Sequence, residues 1–276
     1  MVTAAQKKFY DENGYVIIEN LFSDDEVAYY RDHYMQLREA GTYEGDTSGI
    51  DLGSDDPLKR YPRMIHMHRW DDASLKWMLD KRLNECLTAL AEREPFAVQT
   101  MLYFKPPKAR GQALHQDNYY LRAQPGTCVA AWLALDDCDE ENGCLEVAVG
   151  SHTWPILCTV KADVNESFTD VTVDIPEGQE VRPMIMKAGS VLFFNGSLVH
   201  GSKPNISTTR FRRALIGHYI EGDAKEVYRW YHPVLRMDGS EVTLEQSEVG
   251  SQCGVWVDQE QEFELVPSAP FPERSE

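Results

Sequence analysis

The sequence predicts a mainly β protein with flanking helices, built on an eight-stranded jelly roll of two Greek keys. Three observations point there. From residue 96 onward, short apolar or alternating runs follow one another: FAVQTMLYFK, ALHQDNYYL, CVAAWLALD, CLEVAVG, SVLFFN and RRALIGHYI. Turn signals separate them, as PPKARG, AQPG, DEENG, KAGS and GSKPN, at the spacing of a sandwich or barrel. The residues before 96 read instead as helices, expected on the outside of one sheet.

In chain order, Ser23-Asp24-Asp25-Glu26 fits a capping box ahead of VAYYRDHYMQLREA, and Gly41 is expected to end that helix. A second helix is expected through ASLKWMLDKRLNECLTALAER, stopping before Pro95. Between them lies GTYEGDTSGIDLGSDDPLKRYPRMIHMHRW, rich in Gly, Asp and Pro; a loop of that length is more often functional than idle. Within the strand region, Asn142-Gly143 is a two-residue hairpin signal. With no internal repeat and no low-complexity linker, one domain is expected over 1–276. It divides into a helical part to about residue 95, a jelly-roll core over about 96–222, and a C-terminal extension or lid over about 223–276.

Composition narrows the function. The chain has 276 residues, 42% hydrophobic and 26% charged, enough for a substantial core. No apolar run approaches membrane-spanning length, and MVTAAQKKFYDENGY lacks the apolar centre of a signal peptide, so a cytoplasmic protein is expected. A net charge of −18 repels phosphate backbones and anionic membrane surfaces. Nucleic acid and membrane are therefore excluded as partners, leaving a small-molecule substrate. The six cysteines form no C-x-x-C pair and are expected as reduced thiols; Cys138 and Cys144, flanking the Asn-Gly turn, are the pair nearest in sequence.

The chemistry concentrates in ALHQDNYYLR. Read as a strand, it points His115 and Asp117 to one face and turns Gln116 away. An imidazole nitrogen and a carboxylate oxygen then supply two legs of a metal site. Two histidines and one carboxylate, with open positions, are the ligand set of non-haem Fe(II) oxygenases. His200, following SVLFFN and opening HGSKPN, is the best third candidate. His152 is its rival, His218 sits inside a later strand, and His66 and His68 lie in the long loop. A histidine bonded to a neighbouring aspartate is the commoner explanation of a bare H-x-D pair. The rest of the pattern favours the metal: STTRFRRALIGHY places arginines at a strand start shortly after His200, where a buried guanidinium could anchor a dicarboxylate.

HQDNYYL, WLALDDCDEENGCLEVAVGSH, GSVLFFNGSLVHGSKPN and RRALIGHY, together with the opening FYDENGYVIIENLFSDDEV, resemble the phytanoyl-CoA dioxygenase family of Fe(II)/2-oxoglutarate oxygenases. The resemblance runs from about residue 8 to 220 and leaves the last fifty residues unmatched. It implies a double-stranded β-helix of cupin type, with iron held by His115, Asp117 and His200. The family pattern aligns on FRRA and selects Arg212 over Arg210 and Arg213 for the distal carboxylate of 2-oxoglutarate, with Ser202 sharing it. Trp132 matches a tryptophan of the cosubstrate pocket, although ordinary core packing is its plain alternative. Gln99, on the strand before the motif, is a further cosubstrate candidate. His152 fits a backbone-bonding role at a strand end.

The resemblance also implies the reaction: 2-oxoglutarate and O2 are consumed, succinate and CO2 released, and the substrate hydroxylated. Related halogenases lack the carboxylate ligand, so Asp117 favours hydroxylation; desaturation, epoxidation and demethylation remain related outcomes. Substrate candidates are Tyr119, which shares strand parity with the ligands, Tyr120, Arg122, Arg63, His66, His68, Trp230 and Tyr231. Arg63 and Arg122 in an acidic chain suggest a small polar or anionic metabolite, such as an aminophosphonate, an amino acid or a natural-product intermediate. No basic cluster suits the phosphates of CoA. The alternatives are a non-catalytic cupin-type ligand-binding protein and a metal-binding cupin independent of 2-oxoglutarate.

Overall fold

The structure is a computed structural model that describes residues 2–43, 46, 49–247, 252–257 and 262–267. Helix α1 (Ala4–Asn13) opens with a capping box between Thr3 and Gln6 and stops at Gly14 in the left-handed region, φ 82°. Strand β1 (Tyr15–Ile18) follows. Helix α2 (Asp24–Glu39) starts as its sequence requires: Ser23 Oγ accepts from the Glu26 amide, and Glu26 returns a carboxylate to the Ser23 amide. The expected long loop carries helix α3 (Pro57–Arg60), the short strand β2 (Met64–Ile65) and a 3₁₀ turn at Met67–Arg69.

The second expected helix is two helices, α4 (Asp72–Met78) and α5 (Lys81–Ala91). Asp80 breaks it: its backbone is extended, and its carboxylate accepts from the Arg82 amide, starting a new helix. The break lets Trp77 and Met78 of one helix and Leu83 and Leu87 of the other enter a single core cluster.

The β region runs β3 (Phe96–Tyr103), β4 (Gln112–His115), the one-turn helix α6 (Asn118–Leu121), β5 (Cys128–Ala134) and β6 (Leu145–Ala148). It continues with β7 (Thr159–Lys161), β8 (Val171–Val173), β9 (Val181–Pro183), β10 (Val191–Asn195), β11 (His200–Ser202) and β12 (Ala214–Ile220). Strands β10, β5, β12 and β3 form the centre of one sheet, extended by β1 at one edge and by β2 and later strands at the other. Strands β4, β11, β6 and β9 form the facing sheet. Four strands against four is the predicted jelly roll, its sheets left open rather than closed into a barrel.

Period-2 alternation sorts the side chains. On β5, Val129, Ala131 and Leu133 face outward onto Trp77, Leu83 and Leu87, so the helices cover the outer face of the larger sheet. Ala130, Trp132 and Ala134 face inward with Leu192, Phe194, Ile216 and Val147. The space between the sheets therefore lies on the Trp132 side.

Three expectations are corrected. The run ALHQDNYYL is a strand only to His115; Asp117 already has helical angles, φ −62° and ψ −38°. Asn142-Gly143 does not close a hairpin, because β5 and β6 belong to different sheets. It turns the chain from one sheet to the other, with the Asn142 side chain tied to the Asp139 amide and the Asp137 and Phe211 carbonyls. The cysteines are not all thiols: Cys158 and Cys253 are disulfide-bonded, while Cys86, Cys128, Cys138 and Cys144 are free and buried. Their approach is a tertiary event. Gly254 pairs with Leu157, and a side chain there would collide with Pro155.

The C-terminal part adds β13 (Glu226–Val227), a 3₁₀ turn at Arg229–Tyr231, β14 (Val234–Arg236), β15 (Glu241–Val242), β16 (Glu245–Gln246) and the hairpin β17 (Gln252–Val257) and β18 (Glu262–Pro267). Among the described residues no helix is long and apolar enough to cross a membrane.

Candidate metal centre

Strands β4 and β11 are antiparallel neighbours, and their register sets His115 directly opposite His200. The two imidazoles stand with ring centroids 4.2 Å apart, and Phe194 packs under His200 at 4.5 Å. Asp117 arrives differently. The chain leaves the sheet after His115, and Asp117 occupies the first position before α6. Gln116 holds this bend: its amide donates to the Pro155 and Ser197 carbonyls at 3.1 and 2.8 Å and accepts from the Leu157 amide at 2.7 Å. Asp117 Oδ1 then lies 3.6 Å from His115 Nε2 and 3.7 Å from His200 Nε2.

The hydrogen bonds behind the rings assign their tautomers. His115 Nδ1 donates to the Ala113 carbonyl at 2.9 Å, and His200 Nδ1 to the Leu198 carbonyl at 3.0 Å. A carbonyl only accepts, so both rings carry hydrogen on Nδ1 and turn an Nε2 lone pair toward Asp117. The Gln112 amide nitrogen donates to the same His115 Nε2 at 3.0 Å, so that contact and a bound ion would exclude one another. Burial pushes His200 down to about 4, which keeps it neutral at physiological pH. Burial alone would raise the Asp117 carboxyl, but His200 and His218 outweigh it and hold it well below the usual carboxylate range. Three electron-pair donors therefore converge with no hydrogen between them, at separations too long for hydrogen bonds. A divalent cation fits this set: two neutral nitrogens and one anionic oxygen. Among the described residues, His115, Asp117 and His200 are the one such cluster able to hold a metal ion.

The centre opens into a cavity of about 460 Å³ between the sheets, within the range of small-molecule sites. Gln99, Trp132, Ser202 and Arg212 all line it. The neighbouring arginines divide as parity requires: Arg213 turns away and pairs with Asp136 at 2.7 Å, while Arg212 is buried with its guanidinium 5.2 Å over the Trp132 ring. The one side-chain hydrogen bond of Arg212 among the described residues is Nε to the Gly143 carbonyl, 3.1 Å. Lys105, absent from the sequence-derived candidates, also lines this wall. Its buried ammonium donates to the Gly143 carbonyl at 2.9 Å and to the Lys203 carbonyl, and burial holds its pKa well below the usual lysine range.

Of the substrate candidates, Arg63, Tyr120 and Tyr231 line the cavity. Arg63 donates to Tyr103 Oη at 3.3 Å and lies 5.8 Å over Phe168. Five others do not line it. His66 sits beside it, Nε2 3.5 Å from Gln99 Nε2, and His68 is buried against Thr100 Oγ1 at 3.0 Å. Tyr119 is turned away because the helix at 118–121 cancels strand parity. Arg122, in the left-handed region at φ 52°, stacks over Tyr228. Trp230 is half exposed outside the cavity, its carbonyl held by Arg69. His152 bonds the Asp11 carbonyl at 3.1 Å, far from the ligands in role. His218 was missed as a site residue, yet it lines the cavity with Nε2 3.1 Å from Asp117 Oδ2. A signal existed: it shares strand parity with the inward-facing Ala214 and Ile216.

A family model described as phytanoyl-CoA dioxygenase matches residues 10–214. The peroxisomal phytanoyl-CoA dioxygenase of Rattus norvegicus is 28% identical over 241 residues, covering 82% of this chain and 71% of that protein. Phytanoyl-CoA dioxygenase 1 of Oryza sativa subsp. japonica is 26% identical over 257 residues, covering 82% and 91%. Among solved structures, EvdO2 from Micromonospora carbonacea var. aurantiaca, complexed with 2-oxoglutarate, superposes with a TM-score of 0.63 at 19% identity, covering 80% of this chain and 92% of that one. At that identity the likeness speaks for the fold.

Proposed function

The chain belongs to the phytanoyl-CoA dioxygenase family and is a dioxygenase, and on that premise we propose that it hydroxylates a small polar or anionic metabolite, consuming 2-oxoglutarate and O2 and releasing succinate and CO2. The observation that carries this reading is the convergence of two imidazole lone pairs and one carboxylate oxygen at the wall of a cavity that also holds Arg212. His115, Asp117 and His200 would hold Fe(II), and 2-oxoglutarate is the cosubstrate found with a protein of the same fold. Iron so held supplies, when bound, C–H oxidation coupled to decarboxylation of the cosubstrate.

The chain's own residues do the rest. Nδ1–H bonds to Ala113 and Leu198 keep both Nε2 atoms available to the metal. Arg212, buried and without a carboxylate partner among the described residues, offers the distal carboxylate of 2-oxoglutarate a charge-assisted anchor, and Ser202 lines the same cavity. Trp132 fixes the plane of that guanidinium. Gln99 adds an amide on the adjoining strand.

The substrate reading rests on charge. In a chain of net charge −18, this cavity is lined by Lys59, Arg63, Arg110 and Arg212, with Lys105 pushed by burial toward its neutral form, and Asp117 is the single carboxylate among the described residues lining it. Arg110 is paired with Asp56, whereas among the described residues the Arg63 side chain meets the Tyr103 hydroxyl and the Phe168 ring and no carboxylate. A space of about 460 Å³ that must also admit 2-oxoglutarate suits a small substrate rather than the whole of an acyl-CoA. The Cys158–Cys253 disulfide weighs against a reducing compartment, and free-thiol counting on protein trapped at lysis reads that directly.

Anaerobic addition of Fe(II) and 2-oxoglutarate is expected to give a weak visible charge-transfer band. A cupin that binds iron without 2-oxoglutarate, or a non-catalytic binding protein, gives none, and either result overturns the oxygenase reading. A metabolite screen read by succinate release is expected to pick anionic or polar compounds. Selective turnover of an acyl-CoA would overturn the substrate preference.

A further inference from the structure

We infer that His218 is a positioning residue for the centre: its Nε2–H clamps one oxygen of Asp117 so that the other alone faces the two ligand histidines. This rests on the metal-site reading above and goes beyond the ligand set. The position of Asp117 creates the need. Because it sits on a helix start rather than on the strand, sheet geometry does not aim its carboxylate, and that carboxylate caps no backbone amide of its own helix. His115 and His200 do not aim it either. Their Nε2 atoms are 3.6 and 3.7 Å from Oδ1, beyond hydrogen-bond reach, and with hydrogen on Nδ1 neither ring donates to it.

Among the described residues, His218 is the single hydrogen-bond donor to the Asp117 carboxylate, Nε2 to Oδ2 at 3.1 Å. A carboxylate offers no hydrogen, so Nε2 must carry it. The other ring nitrogen, Nδ1, is buried without a partner, so the ring's side-chain hydrogen bonding is committed to Asp117. The backbone is shaped for this task. His218 lies on β12 opposite Gln99 and Ala130, and the pairing with β3 shifts register between His218 and Tyr219. Tyr219 turns to the outer core and bonds the Met78 carbonyl at 2.7 Å, while His218 stays on the cavity side. With Oδ2 engaged, Asp117 offers one oxygen to an ion and leaves more of the coordination sphere open to cosubstrate and O2.

The test measures Fe(II) dissociation constants anaerobically for the wild-type chain and for His218→Gln, His218→Leu and His218→Phe, with the thermal midpoint of each metal-free protein as a folding control. Loss of an outer hydrogen bond to a ligand is expected to weaken Fe(II) binding about 10–100-fold in the leucine and phenylalanine variants. Glutamine, whose amide nitrogen can reach the same place, is expected to recover most of it. Should leucine prevent folding, phenylalanine keeps the ring volume and carries the comparison. Fe(II) affinities within about twofold of wild type in the apolar variants, or an equal loss in all three, overturn the inference and leave His218 a packing residue. A wild-type chain that binds no Fe(II) sinks the metal-site reading itself, a result distinct from either.

Discussion

His115-x-Asp117 and His66-x-His68 have the same spacing, lie at the edges of the same interior, and end in opposite states. The first pair meets His200 across two strands and turns three donor atoms to one point. In the second, His66 takes the left-handed region at φ 58° to start a 3₁₀ turn, and His68 spends its Nδ1 on Thr100. Their ring centroids are 5.9 Å apart with planes tilted by 59°, and no carboxylate joins them among the described residues. Burial pushes both down to about 3, so both are neutral at physiological pH. Availability of neutral imidazole nitrogens is thus common to the two regions. What separates them is an acidic oxygen and a cross-strand neighbour, supplied only where the sheet brings distant segments into register.

The comparison can be broken most severely at the acid. Asp117→Ala removes the one anionic member of the proposed ligand set, and 2-oxoglutarate consumption is expected to fall to the reagent blank; succinate formation near the wild-type rate would dissolve the distinction between the regions. Arg212→Ala leaves the three donors in place and removes the proposed anchor. Hydrogen bonds between charged groups contribute about 1.5–3 kcal/mol, so the 2-oxoglutarate concentration for half-saturation should rise about 10- to 150-fold, read in a titration of the charge-transfer band. The smallest effect belongs to the loop. His68→Ala should lower unfolding stability by about 1–3 kcal/mol in a denaturant titration, through the unpaired Thr100 hydroxyl and the space left behind, while Fe(II) affinity stays at the wild-type value. A loss of Fe(II) binding there would make the loop pair part of the centre.

How much of this was readable in the chain depends on the range of the interaction concerned. Ser23 and Glu26 sit three residues apart and satisfy each other's backbone amides, so the start of α2 was legible. CVAAWLA is apolar throughout and buried on both faces, so its sequence marked a strand without marking which of its residues face the cavity. The pairing of His115 with Asp117 was legible from spacing, though strand parity is not what produces it. The chain turns into a helix between them, and the same turn sends Tyr120 rather than Tyr119 to the cavity. The break at Asp80 carried a signal in its capping residue, which a continuous apolar pattern masked.

By itself, then, the sequence determined the helix caps, the short apolar strands, the acidic surface and the presence of two candidate ligands two residues apart, since each follows from contacts within a few residues. The tertiary structure alone decided that His200 stands against His115, that His218 meets Asp117, that Cys158 meets Cys253, and that an acidic chain gathers several of its basic side chains around one cavity. Those outcomes depend on strand register and on which faces are buried together. Register is chosen by the hydrogen bonds and apolar packing of whole sheets, an energy that no short stretch of residues contains.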